Sequence, residues 1–180
     1  MRTTRSLVSR AALGAIMVVG LVAVTAATKV THRAAMFGGP WISIETPVNP
    51  YEQSTTGAMF LVHTWVHGNP SDLPVTGRAE GLVDGKRRSV PFTLRKSAHL
   101  GTYSVARQWD DKGIWTLLVT AMPEAKNGWR IQAVVNVGAD GEVERVSVPR
   151  AGQQTRVLSD AEVERGLRDR AKAMLAVSAR

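Results

Sequence analysis

The sequence has no cysteine among its 180 residues. Disulfides, thiolate metal sites, cysteine nucleophiles and a lipid-modified cysteine anchor are therefore excluded. The sequence also lacks the Gly-x-Ser-x-Gly and Ser-x-x-Lys motifs of serine enzymes, a phosphate-binding loop and a dinucleotide-binding fingerprint. Because these signatures of catalysis are missing, we predict that the protein is not an enzyme.

Charged residues are missing from one stretch near the start, which has the layout of an export signal. Three arginines precede an uncharged apolar run of 17 residues, Ala11 to Ala27. A cleaved signal peptide has an apolar stretch of roughly 7–15 residues and a membrane-spanning helix has about 20, so the run lies between the two. We predict a signal peptide or a transmembrane anchor at 1–28, followed by a linker at 29–40.

Both interpretations of this leader place the rest of the chain on the far side of the membrane, because arginines keep the start of such a segment inside the cell. We therefore predict an extracytoplasmic protein of the periplasm or cell envelope, which is either secreted or anchored by its N-terminal helix. The membrane is then a partner through the N-terminal segment.

Acidic residues are fewer than basic ones, 15 against 23, and the net charge is +8. Arg2, Arg5 and Arg10 carry three of these charges, which leaves +5 for the exported part. A basic surface attracts anionic lipid, nucleic acid or acidic polymers. Outside the cytoplasm we expect no nucleic-acid partner, and a mildly basic, solvated surface is the plainer interpretation.

The body of the chain, 41–149, contains short runs of β-branched and aromatic residues with a turn signal about every ten residues. One such signal is Asp84-Gly85, which favours a type I′ turn between two strands. Pro91 follows it and is expected on an edge strand, because proline cannot donate a backbone hydrogen bond. This pattern predicts about eight strands in an all-β, immunoglobulin-like antiparallel β-sandwich.

Alternation along the strands assigns side chains to the two faces of the sheets. We expect the core to contain Tyr103, Val105, Trp115, Leu117 and Val119. We expect Trp65 either to join them or to lie on the opposite face of its sheet.

The final segment, 159–178, changes to a helical period and predicts an amphipathic helix after a linker at 150–158. Ser159 and Glu162 form a Ser-x-x-Glu capping box at its start. The apolar positions are Val163, Leu167, Ala171, Met174 and Leu175. Three roles remain open for this stripe: packing on the sandwich, pairing with a second copy, or binding an envelope partner or membrane surface.

Two histidines, His63 and His67, are four residues apart in a predicted strand. Four residues of strand span about 13 Å, so the two imidazoles cannot share one ion. A metal site would need one of them and a further donor such as Met59. Histidine with methionine suits copper, which is the one cofactor that we consider. The alternative is that both histidines are ordinary polar residues.

A basic cluster, Lys86-Arg87-Arg88, follows the Asp84-Gly85 turn. It is a candidate patch for an anion or a lipid headgroup. The alternative is that its charges only protect an edge strand from pairing with other chains.

The stretch from Gly101-Thr102-Tyr103 to Gly113-Ile114-Trp115-Thr116-Leu117 forms a Gly-x-Tyr … Gly-x-Trp-x-Leu pattern. It resembles the last strands of exported immunoglobulin-like domains of the YtkA and FixH type. This resemblance covers about 20 residues and implies an accessory or binding module.

We therefore predict a non-enzymatic extracytoplasmic binding or accessory module of the cell envelope. The first alternative is a periplasmic copper-type protein that uses the His and Met donors. The second is a hydrolase of unrecognised type, which would need a cleft lined by an acid and a base such as Asp110 and His99.

Overall fold

A computed structural model describes residues 39–122, 124 and 130–178 of the chain. The predicted leader at 1–28 lies outside these residues. The strands are β1 (Trp41–Glu45), β2 (Phe60–Val66), β3 (Asn69–Pro70), β4 (Val75–Val83), β5 (Lys86–Phe92), β6 (Arg95–Lys96), β7 (Thr102–Val105), β8 (Ile114–Ala121), β9 (Ile131–Val137), β10 (Val143–Ser147), β11 (Arg150–Ala151) and β12 (Gln154–Thr155). A short 3-10 helix occupies Gln53–Thr55, and α1 occupies Asp160–Ser178. None of the helices in this part of the chain is long and apolar enough to span a membrane.

Two five-stranded antiparallel sheets make up most of the fold. The first has the order β1-β2-β7-β6, with β3 also paired to β2. The second has the order β10-β9-β8-β4-β5. The four strands that the sequence did not predict are the two-residue strands β3, β6, β11 and β12.

Local turn chemistry explains the connection between β4 and β5. Asp84 and Gly85 have φ angles of 50° and 74°, the positive values that a type I′ turn needs. Pro91 lies in β5, at the edge of the second sheet, because its missing N–H would interrupt an inner strand. Both features were predicted from the sequence and are confirmed.

The two sheets bury one hydrophobic core between them, in a sandwich-like arrangement. The first sheet contributes side chains such as Ile42, Phe60 and Val62, and the second contributes side chains such as Val135 and Val137. The predicted core residues are all part of it: Tyr103, Val105, Trp115, Leu117 and Val119. Alternation alone was therefore sufficient to identify the side of β7 and β8 that faces this core.

The helix α1 packs on the outer side of the second sheet. Its Val163 and Leu167 form a small apolar cluster with sheet residues that include Ile114 and Leu118. Arg170 adds hydrogen bonds from its guanidinium to the carbonyl oxygens of Trp115 and Val137, at 2.9 and 2.7 Å. Of the three roles left open for the stripe, the structure shows packing on the chain's own sheet for four of its residues, whereas Leu175 is 72% exposed.

The start of α1 has the predicted capping box. The Ser159 backbone N–H donates to Glu162 Oε2 at 2.9 Å, and the Glu162 N–H donates to Ser159 Oγ at 3.3 Å. Arg156 binds the same carboxylate at 2.7 Å. The preceding segment 150–158, which the sequence predicted as a linker, contains the small β11–β12 hairpin.

We expect the substitution Glu162→Gln to lower the free energy of unfolding at neutral pH. Arg156 and then the Ser159 backbone and hydroxyl groups lower the pKa of Glu162 from 4.5 to about 2. Since this pKa is lowered on folding, the ionised carboxylate stabilises the protein above about pH 4.5, and the benefit is lost as the pH falls towards 2. The measurement is urea unfolding of both proteins across this range.

The control is Glu142→Gln, because the Glu142 side chain makes no ion pair with any residue that the structure describes. It removes one surface carboxylate without removing a cationic partner. A Glu162→Gln deficit that stays constant down to the lowest pH would contradict the prediction.

Candidate functional site

The outward face of the first sheet brings together residues from β1, β2, β3, β6 and β7 in three cross-strand rows. Residues directly opposite each other in antiparallel strands share one face, so the register defines the rows. We call this surface the tryptophan face. Its first row is Trp41, Trp65 and Pro70; its second is Ser43, His63 and Thr102; its third is Glu45, Leu61, Ser104 and Arg95.

The first row is aromatic and partly open to solvent. The rings of Trp41 and Trp65 stack with their centroids 5.0 Å apart and their planes within 6° of parallel. The indole N–H of Trp65 donates to Ser43 Oγ at 3.3 Å, which holds the Trp65 ring in place. Trp41 remains 42% exposed. The row therefore presents a flat, supported aromatic ring at the edge of the sheet.

The second row is polar and centred on His63. Its Nδ1 lies 3.1 Å from Thr102 Oγ1, and its Nε2 lies 2.9 Å from Glu45 Oε2 in the third row. Both ring nitrogens thus have a partner, which fixes the orientation of the imidazole. Neighbouring rows are about 7 Å apart, since each is two residues further along the strands. Apolar and polar groups therefore lie side by side on one surface.

The sequence analysis identified His63, and Glu45 among the possible donors to pair with it, but did not predict that Trp41, Ser43 and Glu45 lie beside it. A signal was present, because β1 alternates these three residues with the core residues Ile42 and Ile44. Trp65 lies on the outward face, one of the two positions that the sequence allowed. What the sequence could not show is the pairing of β1 with β2.

The three residues considered for copper do not meet. His63 lies on the tryptophan face, whereas Met59 packs against the core on the other side of the sheet. His67 is exposed in the turn after β2, with a φ angle of 51°. Across the part of the chain that the structure describes, no group of three or more His, Asp or Glu side chains could hold a metal ion.

The basic cluster is divided between the two sides of β5. Arg87 points to the side that carries α1 and binds Glu80 of β4 and Glu164 of α1 through its guanidinium, each at 3.1 Å. Lys86 and Arg88 lie on the other side of the strand by alternation, and both are exposed. The three cations therefore do not form a single patch.

The buried carboxylate of Glu80 is a feature that the sequence did not reveal. Its residue is only 1% exposed. Arg78 Nε lies 2.9 Å from one oxygen, Arg87 Nη2 lies 3.1 Å from the other, and Ser89 Oγ donates at 2.7 Å. Arg78 also binds Asp160 at the start of α1, at 2.8 Å. This network connects the sheet to the helix and is structural.

A groove of about 400 Å³ lies beside this network, with Arg78, Arg130 and Gln132 among its lining residues. One of its cations, Arg78, is already bound to Glu80 and Asp160.

The acid and the base that were considered for a hydrolase, Asp110 and His99, each contact other residues. His99 Nε2 lies 3.2 Å from Glu52, and Asp110 accepts a hydrogen bond from the Lys112 N–H.

On the tryptophan face, Trp41 and the Glu45 side chain are each 42% exposed and held in place by neighbours, whereas Leu61 and Thr102 are buried. Comparisons with protein-family models, with curated proteins and with solved structures found no match.

Proposed function

We propose that the protein is a non-enzymatic binding module of the cell envelope, and that it binds its ligand on the tryptophan face. The leader supports the extracytoplasmic location, and the sandwich-like pair of sheets supports an immunoglobulin-like domain similar to the YtkA and FixH type. A sheet face of this kind is a suitable platform for binding, because its backbone is rigid and its side chains are fixed by their neighbours.

The observation that carries the proposal is the stacked pair of Trp41 and Trp65. Large aromatic side chains dominate the energetics of recognition because they bury much apolar area and lose little conformational entropy. Here the two rings stack on each other, and Trp41 remains 42% exposed. Neither tryptophan belongs to a core cluster, so the Trp41 ring is placed where a ligand can reach it.

Binding is better supported than metal handling. His63 would have to give up Thr102 or Glu45 before it could ligate copper, because both of its ring nitrogens have partners. The methionine that was considered with it packs towards the core. The polar row is therefore more suitable for hydrogen bonding to an organic ligand.

We expect the full-length chain, kept in mild detergent, to sediment with insoluble envelope material that has been washed free of lipid. The substitution Trp41→Ala should weaken this binding by about tenfold, because it removes the exposed aromatic plane. The measurement is the fraction of protein in the pellet as a function of envelope concentration.

The matched control is Tyr51→Ala, since Tyr51 is also an aromatic residue, is 92% exposed and is not part of the tryptophan face. It should sediment like the unchanged protein. Equal sedimentation of the Trp41→Ala and Tyr51→Ala proteins, or no sedimentation of the unchanged protein, would contradict the proposal.

A further inference from the structure

The exposed ring of Trp41 has the properties of a platform for another flat, partly apolar ring. Trp65 supports it on one side at 5.0 Å. Trp41 itself is 42% exposed. Sugar rings expose C–H groups on their faces, and these pack on aromatic rings through dispersion and weak C–H contacts.

Beside this platform lie groups that bind hydroxyls. Glu45 Oε2 contacts His63, whereas Oε1 has no partner among the residues that the structure describes, and a carboxylate oxygen accepts hydrogen bonds from hydroxyl groups. Ser43, between Trp41 and Glu45 on the same side of β1, can donate or accept. A ligand that covers the first two rows must therefore present an apolar face to Trp41 and hydroxyls to the polar row.

The charges of the face favour a neutral ligand. Glu45 and Arg95 carry opposite charges in the third row, and His63 is charged only if protonated, so the face has no strong net charge. The carboxylate disfavours an acidic polymer, and it also disfavours a nucleic acid, whose bases would stack but whose phosphates need cations. Arg95 is the cation of the third row and lies at its far end, across from Ser104.

The face is also long enough for more than one ring. From Trp41 to Glu45 it extends about 13 Å along β1. Its third row leads to a hollow of about 200 Å³ lined by residues that include Arg95, Ser104 and Gln108. A chain of rings can therefore continue across the sheet, whereas a single small ligand would use only one end of it.

We infer that the ligand of the tryptophan face is a neutral saccharide chain, with one sugar ring stacked on Trp41 and its hydroxyls bound by Ser43 and Glu45. This inference rests on the proposed function and adds the chemical class of the ligand. It applies to neutral polysaccharides as a class, whichever glycosidic linkage they contain.

The test treats the envelope material in two ways before full-length protein is added. Anhydrous hydrogen fluoride cleaves glycosidic bonds and leaves peptide bonds intact. A protease of broad specificity cleaves peptide bonds and leaves glycosidic bonds intact. We expect binding to be lost after hydrogen fluoride and kept after protease. We also expect neutral hexasaccharides of glucose, mannose or N-acetylglucosamine to compete for the untreated material.

The outcomes separate this inference from the proposed function. Binding that depends on Trp41 but survives hydrogen fluoride and is lost after protease would overturn the saccharide and leave the binding face standing. Binding that does not depend on Trp41 overturns the proposed function itself. Competition by a hexasaccharide that weakens about tenfold in Trp41→Ala supports both.

Two milder variants keep the test conclusive if the Trp41→Ala protein misfolds. Trp41→Phe keeps an aromatic plane and should bind within a few-fold of the unchanged protein, whereas Glu45→Gln should weaken saccharide binding because an amide is a poorer acceptor. Saccharide binding that is the same in Glu45→Gln and the unchanged protein would contradict the role of Glu45 in binding the hydroxyls.

Discussion

The substitution Trp115→Ala is expected to lower the free energy of unfolding by about 3–5 kcal/mol. Trp115 is 2% exposed and lies in the main core. Its indole N–H donates to the Lys112 carbonyl oxygen at 2.9 Å, so the substitution also removes a hydrogen bond. Chemical denaturation of the unchanged and substituted proteins measures the difference.

The matched control is Trp41→Ala, which removes the same atoms from an exposed edge strand. It should lower the free energy of unfolding by less than half as much as Trp115→Ala, because much of the Trp41 ring is already in contact with water. Equal losses for the two tryptophans would show that Trp115 does not support the core in the way described.

A second variant examines the space that the Trp115 ring occupies. A Cβ atom on Gly81 would lie 2.5 Å from this ring, so Gly81→Ala should destabilise the protein by about 1–3 kcal/mol. In the Trp115→Ala background the same change should be nearly neutral, since the obstructing ring is gone. Equal effects of Gly81→Ala in both backgrounds would contradict the close approach.

The double substitution Arg78→Ala with Arg87→Ala is expected to cost about 3–5 kcal/mol, because it leaves the carboxylate of Glu80 buried without a cation. The Glu80 side chain is 2% exposed and would keep only the Ser89 hydroxyl as a side-chain partner. The helix α1 would also lose its connections through Asp160 and Glu164. Urea unfolding at neutral pH is the measurement.

A sharper test is that Glu80→Gln should change the free energy of unfolding in opposite directions in the two backgrounds. Glu80→Gln alone should destabilise the protein, because the two arginines lose their buried partner. In the double arginine background the same substitution should stabilise it, because an amide is less costly to bury than an unpaired carboxylate. A loss of equal size in both backgrounds would contradict the coupling.

The control for the arginine substitutions is Arg168→Ala, which breaks an exposed ion pair with Glu164 on α1. Exposed pairs contribute about 0–1 kcal/mol, so this change should have a small effect. A loss as large as that of the double variant would show that the effect belongs to the helix surface and not to Glu80.

Much of the fold could be predicted because its determinants are close together in the chain. The turn at Asp84-Gly85 depends on two residues that tolerate a positive φ, and the helix start at Ser159 depends on a partner three residues away. The side of β8 that faces the main core follows from alternation alone. The wider expectation of an immunoglobulin-like class and an envelope location stays a prediction.

The candidate site could be predicted only in fragments, because its parts are distant in sequence. His63 stood out by residue type, but its contacts are 18 and 39 residues away, at Glu45 and Thr102. The basic cluster appeared to be one patch because its residues are consecutive, yet Arg87 pairs with Glu164, 77 residues away. No spacing rule connects such distant residues.

The sequence by itself determined the eight longer strands, the turn at Asp84-Gly85, the capped helix and part of the core, since each depends on periodicity or on neighbours within a few residues. Only the tertiary structure decided that Trp41 stacks on Trp65 and that α1 covers its own sheet. The physical reason is that the register between distant strands, and the docking of a helix, are set by how complementary surfaces pack together.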